Sequence, residues 1–189
     1  MGVNLGKNKT STTPLEDYQK LILQLGPYAD YLVINVSCPN ISGLRDLQST
    51  SSLEGLLKGC QEAVQQLAEK SIPQPPLLVK LSPDLTDSQL EDIAAVLVKL
   101  KIDGIILTNT TTSRENLASP NKVQQGGLSG KPLKERSTEC IRVLYHFTKG
   151  KIPIIGVGGV HNGRDAYEKF RAGSSLVQVY IGMIYEGPG

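Results

Sequence analysis

A cysteine follows an apolar stretch of the chain and could act in catalysis. Residues 31–40 read YLVINVSCPN, an apolar run that ends in polar residues, a thiol and a proline. Asn35 is a poor strand former whose donors and acceptors need partners, so we expect polar groups at the end of this strand. Pro39 fixes its own φ and restrains Cys38 to an extended conformation, which makes the bend stiff. We interpret Cys38 as a candidate catalytic group, and the alternative is a small buried hydrophobe, a common role for cysteine.

A lysine lies inside a second apolar run. Residues 77–81 read LLVKL, in which Lys80 is the charged residue. An ammonium group in apolar surroundings is costly unless it meets an anion or a dense set of acceptors, and a bound cofactor could supply that anion. The alternative is that Lys80 ends its strand and reaches water.

Glycines follow a late apolar run and precede a predicted helix. In (β/α) barrels this position commonly binds a phosphate through backbone N–H groups and a helix N-terminus. Gly158 and Gly159, taken together with Ser129, Gly130 and Tyr180, indicate a cofactor that carries a phosphate. Asparagines at other strand ends would suit a flat heterocycle with alternating N–H and C=O groups, because an amide presents both donors and acceptors.

Capping residues indicate where the helices begin. Thr13 with Glu16 and Ser51 with Glu54 have the spacing of capping boxes, and Thr86 is a suitable cap for a third helix. Helices are predicted over residues 14–25, about 51–72, 87–100, 132–148 and 162–171. The apolar runs between them predict strands that end at residues 4, 35, 81, 108, 157 and 180.

Strands and helices alternate at intervals of roughly 25 to 35 residues, which is typical of parallel βαβ units. A doubly wound sheet concentrates ligand groups near one switch point, whereas a (β/α) barrel brings every strand end to one mouth. Here each predicted strand ends in or near a residue that could bind a ligand, namely Asn4, Asn35, Lys80, Asn109, Gly159 and Tyr180. We therefore predict an α/β fold and one domain over residues 1–189. It would be an incomplete TIM-type (β/α) barrel of about six βα units that lacks the first two of eight strands.

Composition and charge argue against several classes of protein. The 20 basic and 18 acidic residues leave a net charge of +2 and form no concentrated basic run, so we expect no nucleic acid partner. The three cysteines form no CxxC pair, from which we expect reduced thiols and no metal site. No apolar run is long enough to cross a bilayer, and the first residues read as the end of a strand. We expect segments before Met1 and after Gly189 to be missing.

Several longer motifs occur in a family-specific combination over nearly all of the chain. They read GVNLGKNKT, NVSCPN, LVKLSPDL, ILTNTT, GGLSGKPL, IIGVGG and LVQVY. Together they closely resemble the dihydroorotate dehydrogenases, the flavin enzymes of pyrimidine synthesis. The resemblance is greater to the membrane-associated, quinone-using class of that family.

The resemblance implies a cofactor site and a substrate site. FMN would be bound by Asn4, Asn35, Lys80, Thr108, Gly130, Gly159, Tyr180 and the backbone of Ile181, and the glycine-containing motifs add Ser129 and Gly158. Dihydroorotate would be held by Asn35, Asn40, Asn109 and Thr110. The implied reaction is oxidation of dihydroorotate to orotate, in which Cys38 removes the C5 proton and hydride passes from C6 to the flavin. Ubiquinone would then take the electrons.

Two residues depart from the pattern of the quinone-using class. That class usually carries serine where this chain has Cys38, whereas the soluble class, which uses fumarate or a nicotinamide system, carries cysteine. Ile181 stands where the family usually has serine or threonine, so a hydroxyl contact to the phosphate would be lost while a backbone contact would remain. We weight GGLSG and GVNLGKNKT more heavily and predict the quinone-using class. The alternatives are the soluble class and a non-catalytic truncated product.

The resemblance also implies a cellular setting. It places the protein at the mitochondrial inner membrane, with ubiquinone reached through an N-terminal region outside this chain. Membrane association would depend only on segments outside this chain. We expect a monomer.

Overall fold

The computed structural model describes residues 1–40, 45–115 and 117–188, in which strands and helices alternate. The strands are β1 (Gly2–Leu5), β2 (Tyr31–Asn35), β3 (Leu77–Leu81), β4 (Gly104–Leu107), β5 (Ile154–Val157) and β6 (Leu176–Gln178). The α-helices are α1 (Pro14–Leu25), α2 (Thr50–Glu69), α3 (Asp87–Lys99), α4 (Lys134–Thr148), α5 (Gly163–Ala172) and α6 (Ile181–Glu186). Short 3₁₀ turns lie at Gly26–Tyr28, Arg45–Gln48, Pro120–Val123 and Lys131–Leu133.

The six strands form one parallel sheet in the order β1-β2-β3-β4-β5-β6. Each strand pairs with the next one along the chain, so the order never reverses as it does at the switch point of a doubly wound sheet. This sequential order with helical crossovers is that of a (β/α) barrel. Because β1 and β6 pair with no further strand among the described residues, the barrel is incomplete. The predicted fold class is confirmed.

The helices and one face of the sheet share a large apolar core. Strand side chains that alternate along each strand, such as Leu32 and Ile34 of β2, pack there with Leu57 of α2 and Ile93 of α3. Burial of this kind stabilises the fold by about 25 cal/mol for each Å² of apolar surface removed from water. This core fixes the strands and so fixes where their carboxyl ends lie.

The opposite face of the sheet is the barrel interior. It holds a smaller cluster that consists of strand residues only: Val33, Leu78 and Ile106, with Tyr31, Ile155 and Val157 packed against them. Successive residues of a strand point to opposite faces, so Asn35 and Lys80 project to this interior face. The sheet therefore directs these two polar side chains toward the place where a barrel binds its ligand.

Predicted helix starts differ in how well they match the structure. Thr86 caps α3 in a capping box with Gln89, whose backbone N–H donates to Thr86 Oγ1 at 3.2 Å. The predicted box of Ser51 with Glu54 is wrong, because α2 already begins at Thr50 and Glu54 instead pairs with Lys58 and Lys99.

Thr13 precedes α1 as predicted, but it does not cap it with its side chain. Its hydroxyl donates to the Glu16 carboxylate at 2.9 Å rather than accepting a backbone N–H bond. The predicted capping box at this helix is therefore wrong, because the Thr13 side chain accepts no hydrogen bond from a backbone N–H of α1.

The last predicted strand is too long. β6 ends at Gln178, and Tyr180 instead precedes the short helix α6, which the sequence did not predict. Tyr180 nevertheless lies where the chain leaves the sheet. The remaining strand ends match the predictions to within one residue, with β1 ending at Leu5 and β4 at Leu107.

The three cysteines are free, as predicted. Burial raises the pKa of Cys60 to about 12 and that of Cys140 to about 11, so both are protonated core side chains. Cys38 differs from them because it is only half-buried. The described residues contain no helix that could span a membrane, and none of their His, Cys, Asp or Glu side chains form a group that could hold a metal ion.

Candidate active site

A cavity of about 380 Å³ lies at the carboxyl ends of β3 to β6. Its lining includes ten residues that the sequence predicts as ligand contacts: Lys80, Thr108, Asn109, Thr110, Ser129, Gly130, Gly158, Gly159, Tyr180 and Ile181. They come from four strand ends and from the loop between β4 and α4. The sheet, rather than one local motif, therefore assembles this cavity.

Asn35, Ser37 and Asn109 form a hydrogen-bonded network beside the cavity. The Nδ2 of Asn109 donates to Oδ1 of Asn35 at 3.2 Å and to Oγ of Ser37 at 3.0 Å. The Ser37 hydroxyl donates to the carbonyl of Lys80 at 2.8 Å, which ties the chain after β2 to β3. Because Oδ1 of Asn35 is turned toward these protein donors, the NH₂ group of the same amide points away from them and can donate to a ligand.

Lys80 extends from the interior face of β3, next to Asn35 of β2 in the strand register. Burial lowers the pKa of the Lys80 ammonium, because removal from water disfavours the charged form. An electron-rich or anionic ligand in the cavity would compensate for this lost hydration. The position of Lys80 therefore suits a residue that faces a ligand.

Gly158 and Gly159, which we call the glycine loop, follow β5 at the other end of the cavity. Their φ values are 122° and 70°, a region that side chains rarely adopt. A Cβ at Gly159 would lie 2.7 Å from Cα and 2.9 Å from the backbone N of Lys134, the first residue of α4. The absence of side chains here lets the loop pack on α4 and leaves backbone N–H groups available to an anion.

Two buried polar atoms on cavity-lining residues have no hydrogen-bond partner among the described residues. They are Oγ1 of Thr108 and Nδ1 of His161. An unpaired buried polar atom costs about 1–3 kcal/mol, so such atoms are expected where a bound ligand completes the hydrogen bonding. The cavity therefore offers partners to a ligand along its length, from the end of β4 to the loop after β5.

Four predicted site residues do not line this cavity, and one of them, Asn35, belongs to the network beside it. Asn4 is exposed on β1, where it pairs in register with Val33 of β2. Cys38 and Asn40 lie on the loop after β2, half-buried and exposed respectively.

The loop between β4 and α4 brings Asn40 close to the cavity. A Cβ at Gly127 would overlap the hydroxyl of Thr110 and lie 3.1 Å from Cγ of Pro39. The ideal Cβ position at Gly126 is 3.6 Å from Oδ1 of Asn40. Gly126 thus lies near the predicted substrate residue Asn40, and the adjacent Gly127 lies against the predicted substrate residue Thr110. Cys38 is two residues before Asn40.

Arg114 and Asp84 hold this loop in place. Arg114 donates through Nη2 to the carbonyls of Gln124 and Gly126, at 3.2 and 2.6 Å, and so closes the loop on itself. Asp84 accepts a hydrogen bond from the Thr111 hydroxyl and another from the Thr112 N–H at 2.9 Å. Neither residue was predicted from the sequence, because neither follows a strand directly and the partners of each depend on how the loop between β4 and α4 folds.

Ser37 and His161 are two further polar residues of the site that were not predicted from the sequence. Ser37 is fully buried between Asn35 and Asn109, and His161 lines the cavity after the glycine loop. Ser37 directly precedes the predicted residue Cys38, and His161 follows Gly159 by two positions, so position relative to the strand end was the signal that could have found them. Gln178, at the end of β6, also lines the cavity.

The fold and the cavity together define a class of protein. It is a (β/α) barrel with a ligand site at the carboxyl ends of its strands, where amides and a buried lysine lie at one end and glycines at the other. A family model described as dihydroorotate dehydrogenase matches residues 1–189, and the chain belongs to this family.

Relatives and solved structures agree with this assignment. The chain is 53% identical to the mitochondrial dihydroorotate dehydrogenase (quinone) of Arabidopsis thaliana, an alignment that covers 100% of this chain and 41% of the relative. It is also 53% identical to the mitochondrial enzyme of that name from Mus musculus, covering 100% of this chain and 47% of the relative. A crystal structure of DHODH from Eimeria tenella in complex with ferulenol matches with a TM-score of 0.94 and 44% identity, covering 99% of this chain and 54% of that chain. The predicted resemblance to the quinone-type family is confirmed, and the chain spans about half the length of these relatives.

Proposed function

We propose that this chain supplies the substrate and flavin site of a dihydroorotate dehydrogenase, which oxidises dihydroorotate to orotate in pyrimidine (UMP) biosynthesis. The chain would act within a complete barrel, by which we mean this chain together with the strands that close its sheet. The observation that carries the proposal is the hydrogen bond from Asn109 to Asn35 beside Lys80, at one end of a cavity that has the glycine loop at its other end. Relatives named dihydroorotate dehydrogenase (quinone) support it.

FMN fits the cavity by the chemistry of the lining residues. The glycine loop and Gly130 offer backbone N–H groups to a phosphate, and the amide end offers donors and acceptors to a flat ring system. The unpartnered Oγ1 of Thr108 and Nδ1 of His161 would gain partners. When bound, FMN supplies the hydride acceptor that the oxidation requires.

Residues of this chain would hold the substrate and remove its proton. Asn35, Asn40, Asn109 and Thr110 would bind the carboxylate and the ring amides of dihydroorotate, for which an amide has the matching donors and acceptors. Cys38, as a thiolate, would take the proton from C5 while the hydride leaves C6, so that the C5–C6 bond becomes double. The Lys80 ammonium would stabilise the negative charge that moves from the substrate toward the cofactor.

The terminal electron acceptor distinguishes two candidate functions. The quinone-type relatives support ubiquinone, and the mitochondrial names of the plant and mouse relatives support a location at the mitochondrial inner membrane. Ubiquinone would be reached through a region outside this chain. The second candidate is a soluble enzyme that uses fumarate or NAD⁺, and the thiol at position 38 favours it, because the resemblance associates cysteine there with that class.

The isolated chain is a poor candidate for catalysis by itself. Large apolar side chains on β6, on α6 and between them are exposed: Leu176, Val179, Tyr180, Met183, Ile184 and Tyr185. An unpaired parallel edge with exposed apolar surface favours aggregation. We therefore expect the isolated chain to bind FMN poorly and to lack turnover. That result in the experiment below would agree with the alternative of a non-catalytic truncated product.

Anaerobic rapid mixing of the FMN-loaded complete barrel with dihydroorotate tests the proposal. Dihydroorotate should bleach the oxidised-flavin absorbance, and a soluble ubiquinone analogue should restore it faster than fumarate or NAD⁺ does. Faster restoration by fumarate or NAD⁺ would assign the soluble class instead. A complete barrel that binds no flavin, or whose flavin is not bleached, would refute the proposed oxidation. The isolated chain serves as the comparison, and stoichiometric FMN with turnover there would show that the other strands are dispensable.

A further inference from the structure

We propose that His161 binds the phosphate of the cofactor through its side chain, at the position where Ile181 provides no hydroxyl. This inference deepens the proposed function and rests on it, because it names a contact to the FMN of the same site. It assigns a role to a residue that the sequence motifs did not single out.

His161 lies where the loop after β5 meets the first turn of α6. A Cβ at Gly182 would lie 2.6 Å from the carbonyl oxygen of Val160 and 3.2 Å from Cα of His161, so the two segments are in close contact. His161 and Ile181 both line the cavity together with the glycine loop. The imidazole therefore stands at the end of the cavity where backbone N–H groups are available to an anion.

The imidazole has an unused hydrogen-bonding atom at this place. Its Nδ1 is buried and has no partner among residues 1–40, 45–115 and 117–188. Buried polar atoms in folded proteins are almost always hydrogen-bonded, so a ligand is the expected partner. A phosphate oxygen accepts a bond from an imidazole N–H, and such charge-assisted bonds are shorter and stronger than neutral ones.

The distribution of charge around the cavity supports the same position. Among the described lining residues, Lys80 and His161 are the two that can carry a positive charge. Lys80 is on β3 and His161 follows β5, so their strands are separated by two strand spacings, or roughly 10 Å. A ligand with a ring at one end and a phosphate at the other would meet Lys80 at the ring and His161 at the phosphate.

Neighbouring residues hold the backbone of His161 in place. Its backbone N–H donates to Oδ2 of Asp165 at 3.0 Å, and Nζ of Lys134 donates to Oδ1 of the same carboxylate at 3.0 Å. Burial opposes ionisation of Asp165, but the bonds from Lys134 and from the His161 N–H outweigh it and lower the pKa of the carboxyl. Lys134 also offsets the negative charge of Asp165, so this carboxylate does not repel an anion that binds at His161.

Ile181 explains why a side-chain donor is needed here. Its Cγ2 is 3.2 Å from the position that a Cβ at Gly130 would occupy, so an apolar group lies against this part of the cavity. An isoleucine can bind the phosphate only through its backbone N–H. His161 lies across the contact between the two segments and supplies the polar side chain that Ile181 does not.

Ligand truncation combined with mutation tests this contact. The affinities of the complete barrel for FMN and for riboflavin, which lacks the phosphate, are measured by flavin fluorescence titration for wild type and His161→Ala. Loss of a hydrogen bond to a charged group should weaken FMN binding by about 10- to 100-fold. Riboflavin affinity should change by less than about twofold, because the missing contact is to the phosphate. Ile181→Thr in the His161→Ala background should recover part of the FMN affinity by adding a hydroxyl.

His146→Ala is the matched control, because His146 is exposed near the end of α4 and does not line the cavity. It should leave both affinities unchanged. Equal losses for FMN and riboflavin in His161→Ala, or no loss of either, would overturn the phosphate contact while leaving the proposed function intact. A wild-type barrel that binds neither flavin would overturn both. If His161→Ala does not fold, His161→Phe, which keeps a ring but has no hydrogen-bond donor, is measured in its place, and the same selective loss of FMN affinity is required.

Discussion

Nδ2 of Asn109 donates a hydrogen bond of 3.2 Å to Oδ1 of Asn35, although the two residues are 74 positions apart in the chain. Asn35 ends β2 and Asn109 follows β4, so this bond crosses the end of β3, where Lys80 lies. The same Nδ2 also donates to Ser37. Two amides held against each other present their remaining donors and acceptors in a fixed orientation, which favours recognition of a planar substrate.

Replacement of Asn109 should therefore weaken substrate binding. Asn109→Ala removes one amide and frees Asn35 to rotate, so we expect orotate affinity in the complete barrel to fall by about 10- to 100-fold. FMN affinity should change much less. Orotate titration followed by the flavin absorbance change measures the effect, with the exposed Asn121→Ala as the control. Unchanged orotate affinity would remove Asn109 from the substrate site.

Lys80→Met tests whether the buried ammonium acts on the cofactor. We expect flavin reduction by dihydroorotate to slow by roughly 100-fold or more, because the variant loses the positive charge that stabilises developing negative charge. Folding stability should change little or increase, since burial lowers the pKa of Lys80 and so disfavours its charged form in the fold. Stopped-flow reduction and urea denaturation measure the two effects, with the exposed Lys122→Met as the control. Normal reduction rates with a large loss of stability would make Lys80 structural.

The strands β2, β3 and β4 could be predicted because they are buried on both faces. A nearly continuous apolar run such as residues 77–81 admits few alternatives, and β3 is found at Leu77–Leu81. The start of α6 could not be predicted in the same way. VQVY has the alternation of a strand, yet the chain turns into a helix after Tyr180 and packs Gly182 on the Val160 carbonyl, a contact that comes from a distant segment.

The candidate site, like the fold, could be predicted only in part from the sequence. Candidate ligand contacts just past the strand ends, such as the Asn109 amide and the Gly159 backbone, could be identified because parallel strands bring their carboxyl ends together. Arg114 and Asp84 could not, because their role depends on which carbonyls and hydroxyls the loop between β4 and α4 brings near them. Asn4 is predicted as a site residue but does not line the cavity. The end of its strand is predicted correctly to within one residue, yet its side chain is exposed on β1.

Lys169 should make stability depend on pH. It is fully buried on α5, where its Nζ donates to Oγ1 of Thr138 at 2.8 Å, and burial lowers the pKa of Lys169 to about 8. Unfolding returns this pKa to about 10.5, so the unfolded chain binds more protons in that window and the Lys169 contribution to stability rises with pH. Below about pH 8 that contribution is constant, at its least favourable value.

Lys169→Met removes this pH dependence. The free energy of unfolding of wild type minus that of Lys169→Met should increase by on the order of 1–3 kcal/mol between about pH 8 and pH 10.5. Urea denaturation of the complete barrel across this range measures it. The exposed Lys151→Met should show no such slope. A flat difference for Lys169→Met would mean that this lysine keeps its ordinary titration in the fold.

Cys38 is the residue on which the proposed chemistry depends most directly. It follows the Asn35–Ser37 network by one residue and is half-buried, unlike the two core cysteines. Cys38→Ala in the complete barrel should slow flavin reduction by roughly two to four powers of ten, the range typical of losing a general base. Cys60→Ala is the matched control, because it removes a buried thiol from the core and should lower stability without changing the reduction rate.

Cys38→Ser distinguishes a base from a packing residue. The variant should keep measurable activity, but its rate should continue to rise to higher pH than that of wild type, because a hydroxyl gives up its proton less readily than a thiol. Stopped-flow reduction by dihydroorotate across a pH series measures the profile of each variant. Near-normal reduction in Cys38→Ala would return Cys38 to the alternative of a small hydrophobe, and another group would then have to act as the base.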